Sequence, residues 1–312
     1  MSVNPKECKV ALIAGGTSGE HEISQASGDG AQGALEEAGF EVIRLDPANE
    51  EDLESLISDS FDVAFLALHG KGGEDGTIQG MLELLGIPYT GSGVLASSTA
   101  IDKNRAKIIY NHAGIPIIPG VALKAGDDVD LDEIKEITGI PCVVKPATEG
   151  SSLGLRIVRE ESELGEAIDY VLSIDDQIVI EKFVEGTETT VAVLGNEDLE
   201  ALPVIEIVPL AADTYDFESK YAPGGCKHII PARLNDGITA RLQDLAKQAH
   251  LAIGCRGVSR TDFIVDNEGN PWILETNTIP GMTPTSLLPD TAGVAGYSFP
   301  ELCTKLVDLA LE

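Results

Sequence analysis

Apolar positions change period from one stretch of the chain to the next, and those changes mark out elements. Short apolar runs at Val10 to Ala14, Val42 to Leu45 and Val63 to Leu68 alternate with helix-spaced stretches at Ile23 to Ala38 and Thr77 to Leu85. Strands separated by helices cannot pair as tight hairpins, so the alternation predicts a parallel sheet with crossover helices. A long helical pattern then runs from Val94 to His112 and stops at Gly114 and Pro116, residue types that end helices. The first lobe boundary is expected inside this helix, at residue 103.

The next stretch reads as helix Leu131 to Thr138, strand Cys142 to Lys145, a Gly-rich loop, strand Leu155 to Val158, helix Glu163 to Leu172 and strand Gln177 to Phe183. Beyond Gly186 the period falls to two, at Thr189 to Leu194 and Ala201 to Val208. A loop rich in Gly, Pro and Asp follows from Ala211 to Pro231, then a helix from Ile238 to Ile253. A loop that long without its own elements is usually functional or disordered. The expected division is an N-terminal α/β domain (1–103), a central α+β lobe (104–186) and a C-terminal α+β lobe (187–312) with a lid loop at 211–231. No internal repeat is present to favour a solenoid.

Composition narrows the partners. In 312 residues, 52 Asp and Glu stand against 21 Lys and Arg, a net charge of −31. Such a field repels phosphate backbones and anionic headgroups, so neither nucleic acid nor a membrane surface is expected as a partner. No apolar stretch approaches the roughly 20 residues of a membrane span. The five cysteines are scattered with no CxxC spacing, which reads as reduced thiols in a cytoplasmic protein rather than a zinc site.

The most informative segment is Val258 to Val265, then Asp266-Asn267-Glu268-Gly269-Asn270, then Pro271 to Asn277. It predicts two strands joined by a tight turn. Strand alternation puts Arg260 and Asp262 on one face with Glu275 and Asn277, and Phe263, Val265, Trp272 and Leu274 on the other. With the turn centred between Glu268 and Gly269, Asp262 falls opposite Glu275 and Arg260 opposite Asn277. Apposed carboxylates are unstable unless they share a proton or bind a cation, and the carboxamide of Asn277 favours the cation. Hard oxygen donors from few residues suit Mg²⁺ (or Mn²⁺), which completes its shell with water and substrate phosphate. The competing reading is a hydrated, solvent-facing hairpin. An Arg, an Asp, a Glu and an Asn on one face weigh against it.

A metal of that kind calls for a nucleotide. No GxxxxGK[ST] is present, which excludes a P-loop. Gly91-Ser92-Gly93-Val94-Leu95-Ala96 fits GxGxxA, but the acidic partner expected about 20 residues later is replaced by Ala113, Gly114 and Pro116. A better phosphate site is Lys145, at a strand end before Glu149-Gly150-Ser151-Ser152-Leu153-Gly154, where a point charge meets unengaged backbone N–H groups. Ile180-Glu181-Lys182-Phe183-Val184 could read an adenine edge, and Glu188 a ribose.

Together these segments resemble the ATP-grasp superfamily and, within it, the D-alanine:D-alanine ligase family. The ordered blocks are Gly15-Gly16-Thr17-Ser18-Gly19-Glu20-His21-Glu22, Ala67-Leu68-His69-Gly70, Gly73-Glu74-Asp75-Gly76-Thr77, Tyr89-Thr90-Gly91-Ser92-Gly93, Asp102-Lys103, Glu149-Gly150-Ser151-Ser152, Lys220-Tyr221 and Glu275-Thr276-Asn277-Thr278-Ile279-Pro280-Gly281-Met282-Thr283. The resemblance implies an ATP-grasp fold behind a parallel-sheet N-terminal domain. It places ATP among Lys103, Lys145, Glu181, Lys182, Val184 and Glu188, and two Mg²⁺ on Asp262, Glu275 and Asn277. It also implies that Glu20 holds the ammonium of a first D-alanine, that His69, Ser151 and Tyr221 organise the centre, and that Lys220, Ser286 and Leu287 surround the second substrate's carboxylate. A homodimer is implied as well.

The expected chemistry is attack of a carboxylate on the γ-phosphate, then attack of an amine on the acyl phosphate. Arg260 and the backbone N–H of Gly281 would hold the oxyanion, while the 211–231 loop closes over the reaction. D-lactate as second substrate, another acid and amine pair, and a nucleotide-binding regulator without catalysis remain as alternatives. Within the resemblance, the Lys220-Tyr221 pair implies a dipeptide rather than a depsipeptide product.

Overall fold

In a computed structural model, residues 3–150, 153–210 and 225–312 are described. Three sheets organise them. In the first, β1 (Lys9–Ile13) lies between β2 (Glu41–Leu45) and β3 (Val63–Leu66), all parallel. Helices α1 (His21–Ala38) and α2 (Glu50–Ser58) make the crossovers, and α3 (Thr77–Leu85) follows β3. β1 is buried from Val10 onward and β3 throughout, the burial expected of a parallel sheet covered on both faces.

The helix expected over Val94 to His112 is two helices, α4 (Val94–Ile101) and α5 (Lys103–His112). Asp102 between them is extended, and its carboxylate accepts from the N–H groups of Asn104 at 3.0 Å and Arg105 at 3.1 Å. An aspartate placed to satisfy the first amides of a new helix is a start signal, and here it outweighs the continuous apolar period.

β4 (Gly120–Lys124), α6 (Leu131–Thr138), β5 (Cys142–Pro146), β6 (Arg156–Val158), α7 (Leu164–Leu172) and β7 (Gln177–Lys182) form a four-stranded antiparallel sheet in the order β4-β7-β5-β6. Its helices cover one face, closing a separate core around Val144, Val158, Leu164, Ile168, Ile178 and Ile180.

The third sheet contains β8 (Gly186–Leu194), β9 (Glu200–Ala201), β10 (Ile205–Pro209), β11 (Cys226–Ile229), β12 (Val258–Asp266) and β13 (Pro271–Asn277), with α8 (Asp236–Ile253) against it. The single strand expected at Ala201 to Val208 is thus two strands, and the loop expected to reach Pro231 gives way at Cys226 to β11. That edge strand pairs antiparallel with β10, which satisfies backbone groups a loop would leave to solvent. The chain ends in α9 (Leu287–Ala295) and α10 (Phe299–Ala310). Leu288, Leu302, Leu306 and Val307 from these helices join Val10, Leu12, Leu35 and Phe65 in one core, so the two ends of the chain pack together. Tyr110 of α5 packs in the core of the third sheet, where its hydroxyl donates to Thr276 Oγ1 at 2.7 Å. No helix of the described residues is long and apolar enough to cross a membrane.

Candidate active site

The β12–β13 hairpin builds the centre. Its register places Arg260 opposite Asn277 and Asp262 opposite Glu275, as alternation predicted. Past Asp262 the register shifts by one, so Phe263 faces Ile273 instead of Leu274. This bulge corrects the expected apolar face. Ile273 is fully buried with Phe263 and Val265, whereas Leu274 is turned into a cavity beside Glu275 and Asp262. An extra residue in one strand reverses the side-chain alternation beyond it.

The two carboxylates are each met by a cation. Arg260 donates to both oxygens of Asp262 at 3.0 Å, joined by Thr190 Oγ1 at 2.5 Å and the Asn277 amide at 3.2 Å. Glu275 takes Lys103 Nζ at 3.2 Å. The charge conflict expected from the hairpin alone is therefore relieved in part by the protein. Among the described residues no group of three His, Cys, Asp or Glu side chains could hold a metal by itself.

A cavity of about 410 Å³ lies between the four-stranded sheet and the third sheet. Lys103, Lys145, Glu181, Lys182, Glu188, Asp262 and Glu275 line it; Val184 does not, while its neighbours Phe183 and Gly186 do. Ile118, Val143, Leu155, Ile157, Ile264 and Leu274 supply an apolar wall suited to a flat ring. Lys145 Nζ sits 2.7 Å from Glu181, and Lys107 forms a second ion pair with the same carboxylate. Burial pushes the Glu181 carboxyl up, but Lys145 and Lys107 outweigh it and hold it below its ordinary range. Lys103 Nζ also donates to the Glu149 carbonyl at 2.9 Å, tying the Gly-rich loop to the hairpin.

A second cavity, of about 380 Å³, is lined by Glu20, His69, Arg260, Asn277, Gly281, Ser286 and Leu287. Glu275 lines both cavities. His69 follows β3 and is buried; its Nε2 is 2.9 Å from Ser27 Oγ on α1. Burial, and then the Arg260 charge, lower its pKa to about 4, so it stands neutral near pH 7. Gly150 lies so close to Glu20 that a Cβ there would sit 2.6 Å from Glu20 Oε2. At Gly281 a Cβ would be 2.8 Å from Ser286 Oγ. At both points the glycine lets the backbone come up against a pocket side chain, Glu20 in one case and Ser286 in the other. Ser286 is the N-cap of α9, which directs the helix N-terminus, with its exposed N–H groups and positive dipole end, at this cavity.

Three predicted residues, Ser151, Lys220 and Tyr221, lie outside the described residues, as does most of the expected lid loop. Some charged residues in these walls or directly behind them were given no role from sequence. Lys107 is four residues from Lys103, one helical turn along the same face, a spacing that signals it. Glu206 and Arg233 line the first cavity as an ion pair. Glu74 lines the second and accepts the Gly70 N–H at 2.9 Å. Burial, reinforced by the charge of Glu20, raises its pKa to about 8.

The comparisons with known proteins agree with this geometry. A family profile described as D-ala D-ala ligase C-terminus matches residues 109–308, and one described as D-ala D-ala ligase N-terminus matches residues 46–92. The chain is 49% identical to a D-alanine–D-alanine ligase from Syntrophobacter fumaroxidans, covering 99% of this chain and 100% of that one. It is 48% identical to another from Desulfotalea psychrophila, over 97% and 95%. Among solved structures, a Bacillus anthracis D-alanine–D-alanine ligase complexed with ATP superposes with a TM-score of 0.86 at 32% identity over 97% of each chain. The VanG D-Ala:D-Ser ligase of Enterococcus faecalis superposes with a TM-score of 0.84 at 31% identity, over 97% of this chain and 99% of that one.

Proposed function

The chain belongs to the D-alanine–D-alanine ligase family, and on that premise we propose that it joins two molecules of D-alanine to D-alanyl-D-alanine with conversion of ATP to ADP and phosphate. The dipeptide would serve peptidoglycan precursor synthesis in the cytoplasm. The observation that carries the reading is Glu275. It lines both cavities and accepts Lys103 between them, so a nucleotide in the first would end where an amino acid in the second begins.

A carboxylate is a poor acyl donor until its oxygen is phosphorylated. ATP would lie with its base against the apolar wall, its ribose at Glu188 and its phosphates toward Lys103 and Lys145. Glu149, Glu181, Glu188, Glu206, Asp262 and Glu275 outnumber Lys103, Lys145, Lys182 and Arg233 along this cavity. A polyphosphate therefore needs added positive charge to enter. Asp262, Glu275 and Asn277 offer hard oxygen donors there, and they fit two Mg²⁺ (or Mn²⁺) held jointly with phosphate. Bound metal would supply neutralisation of charge on the transferred phosphoryl group.

In the second cavity Glu20 would take the ammonium of the first D-alanine and aim its carboxylate at the γ-phosphate. The carboxylate of the second D-alanine would sit at the start of α9, on Ser286 and Leu287. Its amine then attacks the acyl carbon, and Arg260 with the Gly281 N–H would hold the oxyanion. Neutral His69 contributes no charge to compete with the substrate ammonium.

The test is ADP release with D-alanine, L-alanine, D-serine and D-lactate side by side, with mass identification of the product. Turnover and a D-alanyl-D-alanine mass with D-alanine alone are expected. Nucleotide binding without ADP release would make the protein a regulator instead.

A further inference from the structure

Cys226 stands apart from the other four cysteines. Cys8, Cys142, Cys255 and Cys303 are buried, and burial raises the pKa of each thiol. Cys226 is only half-buried, on edge strand β11. Residues two apart on a strand share a face, which brings His228 alongside it. Cys226 Sγ is 3.5 Å from His228 Nε2, and His228 Nδ1 is 2.6 Å from Asp290 Oδ2. A carboxylate only accepts, so Nδ1 carries a proton toward Asp290 and Nε2 is left to accept from the thiol. The result is a chain of thiol, imidazole and carboxylate in the order that activates a cysteine nucleophile.

The chain abuts the amino-acid pocket. His228 lines that cavity, Cys226 packs against Leu287 and Ile207, and Asp290 lies in the first turn of α9. The proposed mechanism gives neither Cys226 nor His228 a task.

We propose that Cys226 is a thiol-modification site for small-molecule disulfides, activated by His228 and Asp290, and that its modification closes the neighbouring amino-acid pocket. This rests on the pocket assignment made above. In the exchange, Cys226 Sγ attacks one sulfur of the disulfide and its proton passes to His228 Nε2. The S–S bond of the reagent breaks, its other half leaves as thiolate, and a mixed disulfide remains on Cys226. The attached group would crowd His228 and Leu287, where the second D-alanine's carboxylate belongs. The first cavity, on the other side of Glu275, keeps its walls.

The test uses the whole protein and the neutral disulfide dithiodipyridine, which the −31 net charge does not repel. Expected is rapid release of about one thiopyridone per chain, with the adduct mapped to Cys226 and removed by dithiothreitol. His228→Gln and Asp290→Asn should each slow that step by about tenfold, and Cys226→Ser should abolish it while keeping basal turnover. The modified protein should lose about tenfold or more in kcat/KM for D-alanine with nucleotide affinity changed less than about twofold. Labelling of a buried cysteine, wild-type rates in both His228 and Asp290 variants, or full turnover by the labelled protein would each overturn the proposal. Thiopyridone release needs no turnover, so absence of ADP release from unmodified protein would count against the ligase reading alone.

Discussion

The two cavities handle buried charge in opposite ways. In the nucleotide cavity Glu181 stays ionised because Lys145 and Lys107 both face it, and Lys103 and Glu275 pair beside them. In the amino-acid cavity burial wins. His69 is pushed down to about 4 and Glu74 up to about 8, so each favours its uncharged form. The first wall carries fixed charge as part of the fold. In the second, His69 and Glu74 add no charge of their own near neutral pH, which leaves Glu20, Arg260, Glu275 and the start of α9 to meet a zwitterionic substrate.

That contrast predicts where a single change damages folding and where it damages catalysis. Glu181→Gln leaves buried ammonium groups without a counter-charge and should cost roughly 3 to 5 kcal/mol of stability, read as a lower denaturant midpoint. Adding Lys107→Met should restore part of the loss, because one ammonium fewer is stranded. An unchanged midpoint in the single variant would mean that solvent, not Glu181, satisfies the lysines.

On the other side of Glu275 the damage should be kinetic. Arg260→Lys keeps a cation beside Asp262 but loses the two-pronged geometry, and turnover should fall by about 10² to 10³, near 3 to 4 kcal/mol of barrier. Thermal stability should move far less. A change confined to KM would take Arg260 away from the oxyanion.

The Glu74 carboxyl gives a pH signature. Its folded pKa, about 8, lies above the ordinary glutamate value of 4.5, so between those values the folded state holds a proton that the unfolded state has lost. Stability from this group is complete below about pH 4.5 and is lost as pH rises toward 8. His69 acts in the opposite sense, its contribution being lost as pH falls from 6.5 to about 4, so only Glu74 of this pair acts above pH 6.5. Denaturation of wild type and Glu74→Gln at pH 6.5 and 8 should show the decline in wild type alone. Parallel profiles would return Glu74 to an ordinary solvated carboxylate.

How much of this was legible in sequence depends on range. Arg260, Asp262, Glu275 and Asn277 could be placed together because strand alternation and a short turn are local, and the register across these four residues holds. The bulge beyond Asp262 had no such signal, since Ile273 and Leu274 are equally apolar, and the tertiary core chose between them. Asp102 did carry a helix-start signal, but the apolar period on either side masked it. The Ser298 to Glu301 capping box with Pro300 at the head of α10 is a local start signal of the same kind. The charge states of His69 and Glu74 were not legible at all. They come from burial between lobes whose packing no single segment encodes.

The smallest effect should fall on the link between the two poles of the amino-acid cavity. Ser27 Oγ meets His69 Nε2 at 2.9 Å and accepts the Met282 N–H at 3.3 Å, so one hydroxyl joins α1, the loop after β3 and the loop after β13. Ser27→Ala removes both bonds from a fully buried place and should cost about 1 to 3 kcal/mol of stability. His69 then loses the partner that fixes its ring, and the Gly281-Met282 backbone loses one anchor beside the oxyanion site. KM for D-alanine should rise severalfold while nucleotide affinity stays put, because nothing Ser27 touches lines the first cavity. Equal losses in both affinities would show that the two cavities are one mechanical unit, and the division drawn at Glu275 would not survive.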